Sequence, residues 1–101
     1  MINPFELMKN FENIKEKGEE LKKILPTLKE TGSAMGGEVV AVVNGEMRVE
    51  SLKINPDLVK EGGAETLAVL ITSAINNALS NMKARVANET NSLASSFGVN
   101  F

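Results

Sequence analysis

Three features of the chain predict an α+β fold. An apolar 4-3 repeat runs through the first quarter of the sequence, two apolar runs flank an Asn-Gly pair in the middle, and a long apolar stripe at helical spacing fills the last third. Together they predict a long N-terminal helix, an antiparallel β-hairpin or three-stranded sheet, a short helix and a long C-terminal helix. At 101 residues one domain spanning 1–101 is expected, near the size at which a chain struggles to bury enough surface alone.

The N-terminal element begins at Asn3-Pro4, a capping residue followed by a proline at the first helical position. Leu7, Ile14, Leu21 and Leu28 recur at sevens and interleave with Phe11, Gly18 and Leu25, which makes a coiled-coil-like seam. Pro26 lacks a backbone donor and clashes with the preceding turn, so the regular helix should stop or kink near Leu25 and Leu28 should leave the seam. The helical arm as a whole is assigned to 1–30.

The small-residue stretch KETGSAMGG reads as a flexible joint before a sheet over 37–55. In the first apolar run Val39, Ala41 and Val43 fall on one face and Val40 and Val42 on the other, so this strand calls for cover on both sides. Asn44-Gly45 marks the hairpin turn. Beyond it the apolar parity changes between Val49 and Leu52, which predicts a bulge or break near Glu50 and Ser51, with room for a third short strand. Asn55-Pro56 ends the sheet and starts a short helix, and Gly62-Gly63 separates that helix from the last one. The stripe Leu67, Leu70, Ile71, Ala74, Ile75, Ala78, Leu79, Met82 and Val86 defines a helical arm over 64–93, followed by a loose tail over 94–101.

Composition removes most catalytic chemistries. With no His, Cys, Trp or Tyr, the chain lacks the parts of imidazole-based triads, thiol nucleophiles and the usual zinc sites. Its carboxylates are interleaved with lysines at helical spacing, the pattern of a solvated face, so no catalytic residue, metal or cofactor is assigned and an enzyme is the last of the functional classes. No segment has the apolar length of a signal peptide or membrane span, and a cytoplasmic protein without a membrane or small-molecule partner is expected.

Geometry adds a partner. A helix over 64–93 is about 45 Å long, whereas a compact chain of this size has a radius of gyration of about 13 Å, so part of the helix must project. A lone hairpin is also marginal in water. A homodimer with helical arms, in which a second copy extends the sheet and covers its apolar face, answers both difficulties.

The run TGSAMGGEVVAVVNGEMRVESLKINPDL, with its Gly-Gly lead-in, alternating valines, Asn-Gly and Ile-Asn-Pro, resembles the central signature of the YbaB/EbfC family of nucleoid-associated proteins. AINNA, from Ala74 to Ala78, is similar to the Ala-x-Asn-x-Ala segment of that family's long helix. The resemblance covers nearly the whole chain except the tail, where SSFGVNF replaces the family's Gly/Pro-rich ending. It implies a tweezer-like homodimer whose paired helices bind double-stranded DNA, with modest sequence preference, in the bacterial nucleoid, where such proteins organise the chromosome or affect gene expression. A dimeric module whose helical jaws hold a protein is the alternative.

The formal charge of −2 works against binding a polyanion, so local patches have to supply the contacts. The stripe beside the seam reads Met8, Lys15, Lys22 and Lys29 at sevens, and Lys15, Lys22 and Lys29 are the first candidates for phosphate contact. The plain alternative is that these lysines snorkel over the seam or pair with Glu12 and Glu19. Lys83 and Arg85, on the outer half of the last helix, complete the candidate DNA-binding set. The asparagines and serines around them suit contacts that position without specifying, and equally a solvated helix face. The hairpin itself is expected to be scaffold.

Overall fold

A computed structural model describes residues 3–96 of the chain. Helix α1, Pro4–Ile24, starts as expected: the Asn3 side chain accepts from the Phe5 amide at 3.0 Å and Pro4 occupies the first turn. Regular α-helix ends at Ile24, and Leu25–Thr27 tighten into a 3-10 turn around Pro26. Leu28 then turns extended and is buried in the core, so it leaves the seam. The helical arm is accordingly shorter than 1–30.

The stretch read as a flexible joint is instead a strand. β1, Lys29–Ala34, pairs antiparallel with β2, Val39–Asn44, which pairs antiparallel with β3, Val49–Ile54, in the order β1-β2-β3. Nothing local in KETGSA favours a strand; what selects it is tertiary. A Cβ on Gly32 would lie 2.1 Å from the Ala78 amide nitrogen and 2.3 Å from the Ala74 carbonyl oxygen, so only glycine lets the backbone of the last helix come this close. Between β1 and β2, Met35, Gly36 and Gly37 all adopt positive φ, a conformation that the two glycines favour.

The hairpin between β2 and β3 forms where expected, but its turn is longer than a two-residue Asn-Gly loop. The Asn44 amide donates to the Arg48 carbonyl at 2.9 Å, enclosing a loop of Gly45, Glu46 and Met47 with Met47 at φ 63°. Asn44, itself buried, ties the loop from within: its Oδ1 accepts from the amides of Glu46 at 2.9 Å and Arg48 at 3.3 Å. Gly45 serves a different purpose from turn geometry. Its amide donates to the Leu25 carbonyl at 2.9 Å, and a Cβ there would lie 2.4 Å from that oxygen, so the root of α1 sits directly on the turn. Opposite Val42 and Val43 the register shifts, leaving Glu50 as the extra residue of a bulge at the place where apolar parity changes.

Asn55 caps helix α2, Pro56–Glu61, through the Asp57 amide, and α3 runs from Ala64 to Ser96. At 33 residues α3 is roughly 50 Å long and continues past Leu93. Of the tail assigned to 94–101, residues 94–96 are helical and the remainder lies outside the described residues. α3 packs across β1 and β2, where Ala74, Ala78 and Met82 meet Val39, Ala41 and Val43 in the core. The alanines allow close approach and Met82 fills the remaining depth. On the other face of the sheet Val40 and Val42 are half-buried among Thr31, Ser33, Ser51 and Lys53, with no element of the chain laid over them among the described residues.

The molecule measures 68 × 21 × 17 Å, with a radius of gyration of 19.5 Å against the roughly 13 Å of a compact chain of similar length. The excess comes from α1, a 21-residue helix of roughly 31 Å, as well as from the far end of α3.

Candidate nucleic-acid interface

Arm α1 is amphipathic but largely unpacked. Its seam residue Ile14 is 52 % exposed and Leu21 is half-buried near the root. All five acids of the helix, Glu6, Glu12, Glu16, Glu19 and Glu20, lie away from the seam. The positions directly beside it hold Met8, Lys15 and Lys22 on one flank and Lys17 on the other, so a basic border runs along an apolar stripe. Lys17 forms an ion pair with Glu20 at 3.5 Å, whereas Lys15 and Lys22 are exposed and stand beyond ion-pair distance of any carboxylate among the described residues.

Lys29 departs from that stripe because the helix ends before it. On β1 its Nζ donates to Glu50 at the bulge, and the Asn44 amide reaches the other Glu50 oxygen at 3.4 Å. The hydrogen bond from the Lys29 ammonium holds the Glu50 carboxyl below the usual glutamate range; partial burial pushes the other way, and Asn44 assists Lys29. This cluster closes the hairpin end of the sheet. Its lysine, though still exposed, pairs with a carboxylate of the same chain, which leaves Lys15 and Lys22 as the pair of the original stripe with no ion pair among the described residues.

Arg85 is committed too. Its Nη1 donates to the Lys29 carbonyl at 2.8 Å and stands 4.0 Å from a Glu30 oxygen. One and two turns earlier on α3, Asn81 Nδ2 donates to the Thr31 carbonyl and Asn77 Nδ2 to the Ser33 carbonyl, each at 2.9 Å. The three donors sit four residues apart on the helix and their acceptors two apart on the strand. Four residues rise about 6 Å along a helix and two about 6.6 Å along a strand, so helix and strand stay in step through three contacts. Sequence reasoning placed these side chains on a DNA-facing or solvated surface; the i, i+4, i+8 spacing of Asn77, Asn81 and Arg85 is the signal that could have identified them as a ladder to a strand edge. Lys83, by contrast, is exposed and borders a cleft with Met47, Asn76, Leu79 and Ser80.

Of the five candidate residues, Lys15, Lys22 and Lys83 are exposed and form no ion pair among the described residues, while Lys29 and Arg85, both partly exposed, make contacts within the chain. Arg48 and Lys53, exposed on the hairpin, are basic side chains outside the candidate set. Among the described residues no three His, Cys, Asp or Glu side chains gather as metal ligands, and no helix is long and apolar enough to cross a membrane.

Residues 1–97 match the model of the YbaB/EbfC DNA-binding family. The chain belongs to this family. A nucleoid-associated protein of Dictyoglomus thermophilum is 33 % identical over 94 residues, covering 93 % of this chain and 90 % of the relative. One from Caldanaerobacter subterraneus subsp. tengcongensis is 36 % identical over 84 residues, covering 80 % and 76 %. The fold matches the crystal structure of an uncharacterized Helicobacter pylori protein with a TM-score of 0.76, over 89 % of this chain and 95 % of that one, at 19 % identity. The YbaB/EbfC signature runs from β1 through the start of α2, so the residues that carry it build the sheet and its turns.

Proposed function

We propose that this YbaB/EbfC family member is a nucleoid-associated protein of the bacterial cytoplasm that binds duplex DNA as a homodimer, with modest sequence preference. Lys15 and Lys22 on α1, with Lys83 on α3, supply its phosphate contacts. The observation that carries this reading is the arm itself: a helix roughly 31 Å long that leaves the body and presents two exposed lysines one heptad apart, beyond ion-pair distance of any carboxylate described, in a chain of a DNA-binding family. Contacts of this kind fix position on the backbone and carry no base information, which agrees with weak sequence preference. A homodimer doubles the lysines, which matters in a chain of formal charge −2.

The bare apolar seam of α1 favours one second reading, a module whose arms hold a protein. Salt separates the two. Binding of a mixed-sequence duplex, measured by gel shift at several salt concentrations, should weaken steeply as salt rises, whereas an apolar protein groove responds little. Reversing Lys15 and Lys22 to Glu should weaken binding to all sequences alike and flatten the slope of log affinity against log salt by roughly 0.9 per lost contact. A variant with Lys9 and Lys23 reversed has the same net charge and alters the other side of the helix. Equal loss of affinity in the two folded, dimeric variants would remove the stripe from the contact surface.

A further inference from the structure

We propose that Asn44-Gly45 is a self-modifying deamidation site that the root of α1 keeps closed. While the Leu25 carbonyl holds the Gly45 amide, Asn44 is preserved; when the root lifts, Asn44 converts irreversibly to aspartate or isoaspartate.

The chemistry needs only the chain and water. The Gly45 nitrogen gives up its proton to solvent base and bonds to Asn44 Cγ, the Cγ–Nδ2 bond breaks, and Nδ2 leaves as ammonia after taking a proton from water. Water then opens the resulting cyclic imide. Addition at Cγ gives aspartate, and addition at the main-chain carbonyl gives isoaspartate, whose backbone runs through the side chain and is one methylene longer. A Cβ on the following residue hinders the ring closure, and glycine has none. Asn44 is the one asparagine of this chain followed by glycine.

The electrophile is already activated. Asn44 Oδ1 accepts from the amides of Glu46 at 2.9 Å and Arg48 at 3.3 Å, and such donors stabilise the negative charge that this oxygen acquires when Cγ is attacked. What is withheld is the nucleophile. The Gly45 amide donates to the Leu25 carbonyl at 2.9 Å, so its proton is held and the N–H is aimed at the root of α1. Asn44 is 8 % exposed, and Nδ2 is drawn to Glu50 at 3.4 Å. The joint itself demands glycine, since a Cβ at position 45 would lie 2.4 Å from the Leu25 oxygen. The residue that lets α1 dock on the turn is therefore the one that makes Asn44 reactive once α1 lifts. Leu25 is only partly buried, in a short 3-10 turn without a side-chain cap, so this joint opens more readily than the fully buried core of β2.

The product cannot restore the joint. A carboxylate at position 44 has no N–H for Glu50 and sets a second negative charge beside it, with Lys29 the cation in contact. Isoaspartate also lengthens the loop that the Asn44 amide and Arg48 carbonyl close, which displaces Gly45 from Leu25. Each conversion makes one opening of the arm permanent.

Ageing the protein tests this. The parent chain is held at one mildly alkaline pH, folded and in unfolding urea, and conversion at position 44 is followed by peptide mass spectrometry, with isoaspartate separated by chromatography. Conversion should be at least about tenfold slower in the folded chain. Equal rates would overturn the lock, and an unfolded chain that does not convert would overturn the chemistry. Leu25→Ala loosens the joint, whereas Val39→Ala leaves a cavity at the opposite end of β2. Compared at the same measured fraction of unfolded chain, Leu25→Ala should convert about fivefold faster or more. Equal conversion would assign the reaction to global unfolding and overturn the gate. Deuterium exchange of the parent needs no variant: the Gly45 amide should exchange well before the amide of the buried Ala41, and exchange of both through global unfolding alone would also overturn the proposal.

Discussion

Along β1 the edge of the sheet is closed from within the chain: α3 crosses it at backbone distance over Gly32, and Asn77, Asn81 and Arg85 hydrogen-bond the carbonyls of alternate strand residues. Along β3 the apolar residues Val49 and Leu52 stay exposed, and a bulge at Glu50 interrupts the strand. An unprotected strand edge recruits other strands indiscriminately, and a side-chain ladder prevents this on the β1 side. The β3 side keeps Val49 and Leu52 uncovered. The same helix causes both outcomes, because setting α3 over β1 and β2 is what leaves β3 uncovered.

The largest test of this contrast is on the closed side. Gly32→Ala would drive a methyl group into the backbone of α3, where no side-chain rotation can relieve the overlap. We expect a loss of about 3 kcal/mol, read from urea denaturation at fixed protein concentration. A loss within a few tenths of a kcal/mol would mean that the close approach is not a determinant of the strand. The ladder comes next. Asn77→Ala with Asn81→Ala removes two donors from exposed carbonyls that water can satisfy instead, so the expected loss is about 1 kcal/mol per side chain, smaller than for a buried pair. The double variant should also become more prone to aggregate, as the edge of β1 is uncovered.

The contrast also marks how far the sequence could be read. The seam, the helix stop at Pro26, the bulge near Glu50, the cap at Asn55 and the stripe of α3 were legible because each depends on local periodicity or on one residue's backbone chemistry. β1 was not. Lys29, Glu30, Thr31, Gly32, Ser33 and Ala34 have no apolar alternation, and their strand exists because Gly32 admits a helix more than forty residues away in sequence. For the same reason the intrachain contacts of two candidate residues were not legible. Lys29 continues the sevens of α1 on paper after the helix has ended, and the polar spacing of Arg85 does not reveal whether its neighbour is solvent, phosphate or a strand edge. The exposed placement of Lys15 and Lys22 was legible because it depends only on the period of α1.

On the open side the expected effects are smaller. Met47 adopts a left-handed conformation at the loop position where glycine is usual, which costs about 1 kcal/mol for a residue with a Cβ. Met47→Gly relieves that strain but increases the freedom of the unfolded chain and removes apolar surface beside Leu79, so a net stabilisation of about 0.5 kcal/mol is expected. A loss of stability instead, measured at fixed protein concentration, would mean that the Met47 side chain contributes more to packing beside Leu79 than its strained backbone costs.

The smallest effect is electrostatic and depends on pH. Lys29 and Asn44 hold the Glu50 carboxyl below its ordinary value, so between the folded and unfolded pKa the unfolded chain binds more protons than the native one. The Lys29–Glu50 contribution is therefore fully present above the unfolded value, and it is lost as pH falls through the folded one. Because Lys29 and Glu50 remain partly exposed, solvent and salt reduce the contribution, which should be among the weakest in the molecule. Glu50→Gln isolates it, since the other carboxylates titrate alike in both chains. The parent should be more stable than the variant at neutral pH, and the difference should shrink as pH is lowered from about 5 to about 3. A constant difference across that window would assign the role of Glu50 to the bulge geometry and its Asn44 hydrogen bond, with no share for the charge of Lys29.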